Sequence, residues 1–386
     1  MNWRKKLPTN CFTEGPIMKH LDEYRDSTLA MPLVEELRRA VTRPLRVMEV
    51  CGSHTMAIFR NGVRSILPPG MDLVSGPGCP VCVTSASHMD AFISMADQPG
   101  VRVAIFGDLF RVPGSHGSLA DASARGAKIE IVYSPMDALE TASKNPEELV
   151  VFLGVGFETT TPGIAATILA AKNRDIKNFV VFSTQKTMPA PMEALLSDPA
   201  LQIDGLLCPG HVSSIIGASA WEPLAQKYHL ACVVGGFETA DLLKSLILLA
   251  RQVGNNDIKV ENVYPRAVAW EGNQRAIKMV DEIFEPTDMD WRGLGRIPLS
   301  GLKIREKYSA YDAEVRLKIS LPEATEPKGC LCGNILKGLN TPRECPLFAK
   351  RCTPGNPVGP CMVSSEGTCA AYHKYGQDDE ITERTF

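Results

Sequence analysis

LVVFLGVGFETTTP, residues 149–162, reads as a buried strand running straight into a helix. Its first eight residues are apolar or glycine on both faces, the pattern of a strand covered above and below, and the polar corner after them leads to a Pro suited to a first helical turn. The corner recurs. ACVVGGFET, residues 231–239, sets a second Gly-Phe-Glu-Thr after a second β-branched run and before a second helix-compatible stretch. Repetition of both the string and its setting implies two equivalent β-to-α corners, although four residues are too few to establish a duplication.

Outward from these corners the same grammar covers roughly 43–254. Short β-branched runs, LRVMEV (45–50), DLVSG (72–76), VRVAIFG (101–107), KIEIVY (128–133), FVVFST (179–184) and DGLLCPG (204–210), each end in a polar or glycine turn and precede a helix-compatible segment. With the two quoted runs they make eight strands, too many for one small sheet. The expected fold is α/β, with two related parallel-sheet domains, 43–147 and 148–256, plus a Cys-rich iron–sulfur domain. A helical segment, 1–42, is expected to pack on that tail domain, and 257–386 to form a connecting segment and the tail. Within it, 255–327 could return to the first sheet or join the tail.

Ligands of open parallel sheets bind outside the carboxyl ends of the strands, and nearly every unusual motif falls there. Cys51 with His54 follows the first run, Cys79-Pro80-Val81-Cys82 the second, Gly107-Asp108 the third, Glu158 the fifth, Lys186 the sixth, Cys208 with His211 the seventh and Glu238 the eighth. A CxxC can be half a zinc site, a redox dithiol or a coincidence. At a helix N-terminus Cys79 would have a lowered pKa. Cys51 with His54 can bind a soft metal, though a buried strand-end cysteine is the commoner finding; three neighbouring strand-end thiols tilt the balance towards function. His211 fits a proton donor, a ligand or a core histidine. Glu158 and Glu238 fit a general acid/base pair, or simply the negative charge that a helix N-terminus favours.

The chain has 386 residues, a net charge of −3 and no concentrated run of like charge, so neither nucleic acid nor an anionic membrane is an indicated partner. No apolar stretch approaches the ~20 residues of a membrane span. Residues 1–12 lack an apolar core for a secretory signal, which gives a cytoplasmic expectation. In a reducing compartment twelve cysteines point to metal or redox work rather than disulfides. Six of them (Cys330, Cys332, Cys345, Cys352, Cys361, Cys369) crowd the last 57 residues, in Gly/Pro-rich sequence without core periodicity. Such a segment needs a staple. Spacings of CxC, x12, x6, x8 and x7 supply no CxxC knuckle for zinc and suit a cubane approached from several directions, with zinc and inert buried thiols as the other readings. A surplus pair beside a cluster could be a redox dithiol. GxGxxG, GxxxxGK[ST] and GxSxG are all absent.

The strings MEVCGSHT, GPGCPVC, GFETTTP, CPGHVSSIIG, the second GFET and ECPLFAKRCTPGNPVGPCMVSSEGTCAAYHKY together resemble the HypD family of hydrogenase maturation proteins, over nearly the whole chain. The resemblance implies a scaffold that assembles the Fe(CN)2CO group of [NiFe]-hydrogenase with the small chaperone HypC, receiving cyanide from HypE. It implies that Cys51 binds the nascent iron, that Cys79 and Cys82 form a redox pair beside it, and that the tail carries a [4Fe-4S] cluster. Cys330, Cys345, Cys352 and Cys369 are then the cluster ligands, and Cys332 and Cys361 the auxiliary pair, with the choice of Cys330 over Cys332 open. Electrons would come from an external donor. Two positions depart from the family pattern: Met56 stands where a second histidine is frequent, and Thr239 where Pro often follows the second Gly-Phe-Glu. The alternatives are a stand-alone cluster-dependent thiol–disulfide oxidoreductase and a zinc-stapled interaction protein.

Overall fold

The computed structural model describes residues 30–376. All eight apolar runs are strands: β1 (Leu45–Glu49), β2 (Met71–Ser75), β3 (Val101–Ile105), β4 (Lys128–Ile131), β5 (Leu149–Gly156), β6 (Phe179–Lys186), β7 (Gly205–Pro209) and β8 (Ala231–Gly235). Three more follow, β9 (Val260–Asn262), β10 (Phe284–Trp291) and β11 (Gly295–Ile304). They form two sheets. The first is all-parallel in the order β2-β1-β7-β8-β9. In the second, β6-β5-β3-β4 are parallel, and the β10–β11 hairpin adds antiparallel to β6. The expected α/β class with two parallel-rich sheets and a Cys-rich tail is what the chain adopts.

Sheet membership does not follow the expected boundary near residue 148. β3 and β4 pair with β5 and β6, whereas β7 and β8 return to pair with β1. Each sheet is thus built from two separated stretches of chain. Of 255–327, β9 rejoins the first sheet and the hairpin extends the second. The helix Ala30–Ala40, the described part of the N-terminal segment, does not lie on the tail. Its Val34 and Leu37 pack with Leu243, Leu246 and Val253 of the helix Thr239–Asn255, on the outer face of the first sheet. Residues 1–29 lie outside the described residues.

Side-chain alternation along the strands separates the cores. Val150 and Phe152 of β5 pack outward with helices Pro135–Lys144 and Thr161–Asn173. Val151, Leu153 and Val155 point the other way, into a core shared with Met48 of β1 and the following Val50, with Cys79 and Cys82, and with the tail thiols. The tail itself has only short helices, Cys332–Leu336 and Thr368–Tyr375. It is fastened to the first sheet by Arg64, which donates to the Leu73 carbonyl and to Tyr372 Oη, each at 2.9 Å.

Candidate metal and thiol centre

In the first sheet the strand order reverses between β1 and β7, and in the second between β3 and β5. A crevice opens at the carboxyl ends of strands on either side of such a reversal. Cys51 follows β1 and His211 follows β7; Asp108 follows β3 and Glu158 follows β5. Two switch points therefore gather the motifs that the sequence placed at strand ends.

Cys51 is the extended N-cap of the helix Gly52–Arg60. Its backbone is fixed by Glu49 of β1, a nearly fully buried carboxylate whose Oε2 accepts from Cys51 N at 3.1 Å and Oε1 from Thr55 Oγ1 at 2.5 Å. Burial pushes the Cys51 thiol up to about 12, Glu366 adds to the rise, and the amides of His54 and Ser53 work against it. At neutral pH the thiol is protonated. Gly78 of the GPGCPVC loop lies on this backbone: Gly52 N donates to Gly78 O at 3.0 Å, and a Cβ on Gly78 would sit 2.2 Å from Cys51 N. The two thiol-bearing loops are in backbone contact.

The CxxC occupies a turn, not a helix N-terminus; the next helix, Ala86–Ala96, is capped by Ser85. The expected low pKa for Cys79 is accordingly reversed. Burial, then the neighbouring Cys82, drive Cys79 well up. Cys82 is the low member: burial opposes ionisation, but hydrogen bonds from Cys361 and Cys79 bring it down to about 6. Cys361 in turn touches Cys332, Sγ to Sγ 3.1 Å, and hydrogen-bonds Cys369. These bonds raise Cys361 well above the usual thiol range. Sulfur thus runs without interruption from the CxxC into the tail.

Cys345, Cys352 and Cys369 are buried and Cys330 half-buried. Burial, followed by the charge of Cys332, lifts Cys330 to about 12, with Cys345 and Cys369 contributing. Val358 N donates to Cys352 Sγ at 3.3 Å, an amide–sulfur bond that favours a thiolate. A Cβ on Gly359 would come within 3.1 Å of Cys330 Sγ. Among the described residues no three His, Cys, Asp or Glu side chains converge closely enough for one ion. The donor set of Cys330, Cys345, Cys352 and Cys369 is all sulfur, which is the chemistry a cubane takes.

The histidines and glutamates separate by role. His54 turns away from the thiols, its Nε2 against the carbonyls of Gly236 (3.0 Å) and Gly235 (3.3 Å) and its ring 4.7 Å from Phe237. Burial lowers it to about 4, so the ring is neutral, and its buried Nδ1 has no hydrogen-bond partner. His211 stacks on the other side of the same loop, 4.0 Å from Phe237. Cys208, by contrast, faces the core beside Cys232 of the adjoining strand, and burial pushes it well up. Glu238 caps its own helix, Thr239–Asn255. Glu158, at the matching corner of the other sheet, is buried; Oε1 accepts from Met188 N at 2.9 Å and Oε2 is unpartnered. Burial raises it to about 7, and burial likewise lowers Lys186, at the end of β6, to about 7. The two corners lie on different sheets and differ in backbone, since Glu238 is the N-cap of its helix whereas Glu158 stands two residues before the Thr160 cap of Thr161–Asn173.

Sequence reasoning missed Glu49, Ser364 and Glu366. Glu366 accepts from Ser53 Oγ at 2.5 Å, and Ser364 hydrogen-bonds Cys79. Glu49 left a signal, a carboxylate following the apolar pair Val47-Met48 at the carboxyl end of a buried strand; the other two did not.

A family model described as "HypD: Hydrogenase formation hypA family" matches residues 28–376. The chain is 44% identical over 377 residues to Hydrogenase maturation factor HypD2 of Bradyrhizobium diazoefficiens, covering 95% of this chain and 99% of that one. It is 44% identical over 369 residues to Hydrogenase maturation factor HypD of Azotobacter vinelandii, covering 93% and 97%. Against Hydrogenase maturation factor HypD of Escherichia coli it is 43% identical over 370 residues, covering 94% and 99%.

Proposed function

The chain belongs to the HypD family of hydrogenase maturation factors, and from that premise we propose that it is the scaffold on which the Fe(CN)2CO group of [NiFe]-hydrogenase is built, with HypC as stable partner and HypE as transient cyanide donor. The supporting observation is the continuous sulfur path from the loop beside Cys51, through Cys79 and Cys82, to Cys361 and Cys332. The cargo iron is the substrate. Cys51 offers it one thiolate, presented by Glu49 through the backbone, and HypC supplies a second ligand.

Cys330, Cys345, Cys352 and Cys369 would hold a [4Fe-4S] cluster, which when bound passes electrons one at a time from an external donor. The chain's own residues do the rest. Two electrons and two protons open a Cys332–Cys361 disulfide to a dithiol. Attack of the Cys361 thiolate on Cys82 of a Cys79–Cys82 disulfide forms a mixed disulfide and releases Cys79; Cys332 then attacks Cys361, re-forming the first disulfide and releasing Cys82. The second exchange is the one favoured by leaving-group chemistry, because it releases the lowered Cys82, and a leaving thiol departs faster the lower its pKa. A reduced CxxC is thereby returned beside the iron-binding thiol.

Infrared spectra of the complex co-purified with HypC test this, because iron-bound cyanide and carbonyl absorb in an otherwise transparent window. Both stretches are expected, and they should vanish in Cys51→Ala. Thiol–disulfide activity without any such bands would favour a stand-alone oxidoreductase. Cys82→Ala should keep the brown cluster absorbance yet abolish maturation; normal maturation in that variant refutes the relay.

A further inference from the structure

The hairpin between β10 and β11 ends in Arg292-Gly293-Leu294 and drives its tip against the tail. Gly293, at φ +73°, lies so close to Gly333 that a Cβ on it would sit 2.2 Å from the Gly333 Cα. Residues 293 and 333 thus meet backbone to backbone, and their preceding neighbours, Arg292 and Cys332, come with them. Arg292, Gly293, Glu326, Cys330 and Cys332 share the lining of one small cavity of about 220 Å³.

Arg292 is only 2% exposed. Its backbone N donates to Val83 O at 2.9 Å, one residue past the CxxC, so the hairpin bridges both thiol groups. The guanidinium is poorly satisfied. Nη2 makes a long 3.4 Å bond to the Pro113 carbonyl, Nε lies 3.5 Å from the half-exposed Glu326 without a well-formed hydrogen bond, and Nη1 has no partner. A guanidinium cannot shed its proton, and a buried cation left short of partners is unfavourable unless an anion faces it. Glu326 supplies one anion but is 52% exposed and screened by solvent; Cys330 and Cys332 are the other groups in this cavity able to become anionic.

We propose that Arg292 is the built-in counter-charge of the tail's sulfur centre, raising the reduction potential of the cluster so that it accepts an electron more readily. The inference rests on the reading that the tail thiols hold a cluster. Net charge and sulfur hydrogen bonding are among the terms that set a cluster's potential. Each added electron makes the centre more negative, so a fixed neighbouring cation favours the reduced form.

The test uses the full-length chain, reconstituted anaerobically with iron and sulfide, and a redox titration followed by electron paramagnetic resonance and visible absorbance. Wild type, Arg292→Gln and Arg292→Lys are compared. R292Q should show a reduced-to-oxidised ratio at least tenfold lower at any set potential, a shift of about 59 mV for a one-electron couple. R292K, which keeps the charge and loses the fork, should stay within threefold of wild type. Failure of R292Q to take up a cluster that R292K holds at the wild-type potential supports the same conclusion. Equal potentials in wild type and R292Q, R292K shifted as far as R292Q, or loss of the cluster from both variants overturns it. A wild-type chain that takes up no iron and sulfide removes the cluster reading itself, and this inference with it.

Discussion

Gly78→Ala probes the contact on which the site is built. The missing Cβ would lie 2.2 Å from Cys51 N, 2.4 Å from the Val50 carbonyl carbon and 2.5 Å from Cys51 Cα, far inside the 3.0 Å below which such contacts essentially do not occur. The loops must part by most of an ångström. Neither yields easily, because Cys51 N is tied to Glu49 Oε2 and Gly76 N to Glu49 O at 2.7 Å. Overpacking of this kind costs about 1–3 kcal/mol, and losing the Gly52–Gly78 hydrogen bond adds about 1 kcal/mol. We expect G78A to lower the free energy of unfolding in urea by about 2–4 kcal/mol with an unchanged slope. Gly163→Ala is the matched control. It sits in the helix Thr161–Asn173 with open space around its Cβ, and should gain about 0.5–1 kcal/mol. Hydrogenase maturation in a complemented strain should fall on the order of 100-fold in G78A, the scale of an ångström's misplacement of reacting groups. If G78A unfolds within about 0.5 kcal/mol of wild type and matures hydrogenase at full rate, the two loops are not held as described.

Two further predictions concern buried charge. Glu158 is raised from its ordinary 4.5 to about 7 by burial, so its contribution to stability is complete below pH 4.5 and is lost as the pH rises through 7, an effect of about 3 kcal/mol. Glu158→Gln removes that slope, and urea midpoints of the two chains at pH 4.5 and 7.5 should diverge in favour of Gln; parallel profiles would show that the carboxyl is solvated. Arg266 makes a bidentate pair with Asp241 (2.9 and 2.5 Å), whose side chain is 1% exposed. Arg266→Met strands that carboxylate and should cost about 3–5 kcal/mol, whereas a loss under about 1 kcal/mol would mean the pair is not desolvated.

The strands legible in the sequence are those buried on both faces, where an unbroken apolar run has no rival reading. β10 and β11 escaped because one side faces water: FEPTDMDW and GRIPLSGLKI each carry a Pro, and the pairing slips between Thr287 and Met289. Partnership was harder than existence. Nothing local in VRVAIFG says that it pairs with LVVFLGVG rather than LRVMEV, since pairing depends on crossovers that both arrangements satisfy. At the site, residues with reactive atoms in tight motifs were readable: the Cys51 and CxxC loops lie in backbone contact, and Cys82 adjoins Cys361 of the tail. The directions of the CxxC pKa shifts were not, because burial and Cys82 raise Cys79 while Cys82 is lowered by a hydrogen bond with Cys361, almost 280 residues away in the chain. Glu238, assigned to chemistry by its echo of Glu158, proved to be a cap, which is the ordinary use of a glutamate there.

The exchange of strands between the two sheets has a bearing on biogenesis. Val47 cannot find Gly205 until the intervening stretch has left the ribosome, which at 5–20 residues per second takes on the order of ten to thirty seconds. Throughout that interval the β1–β2 ribbon is an unfinished parallel edge, exposed to mispairing. The second sheet can grow to four strands meanwhile, and it too waits for its hairpin. The cysteines of the tail emerge after every strand of both sheets, and no cut between residues 106 and 204 would release a fragment owning a complete sheet.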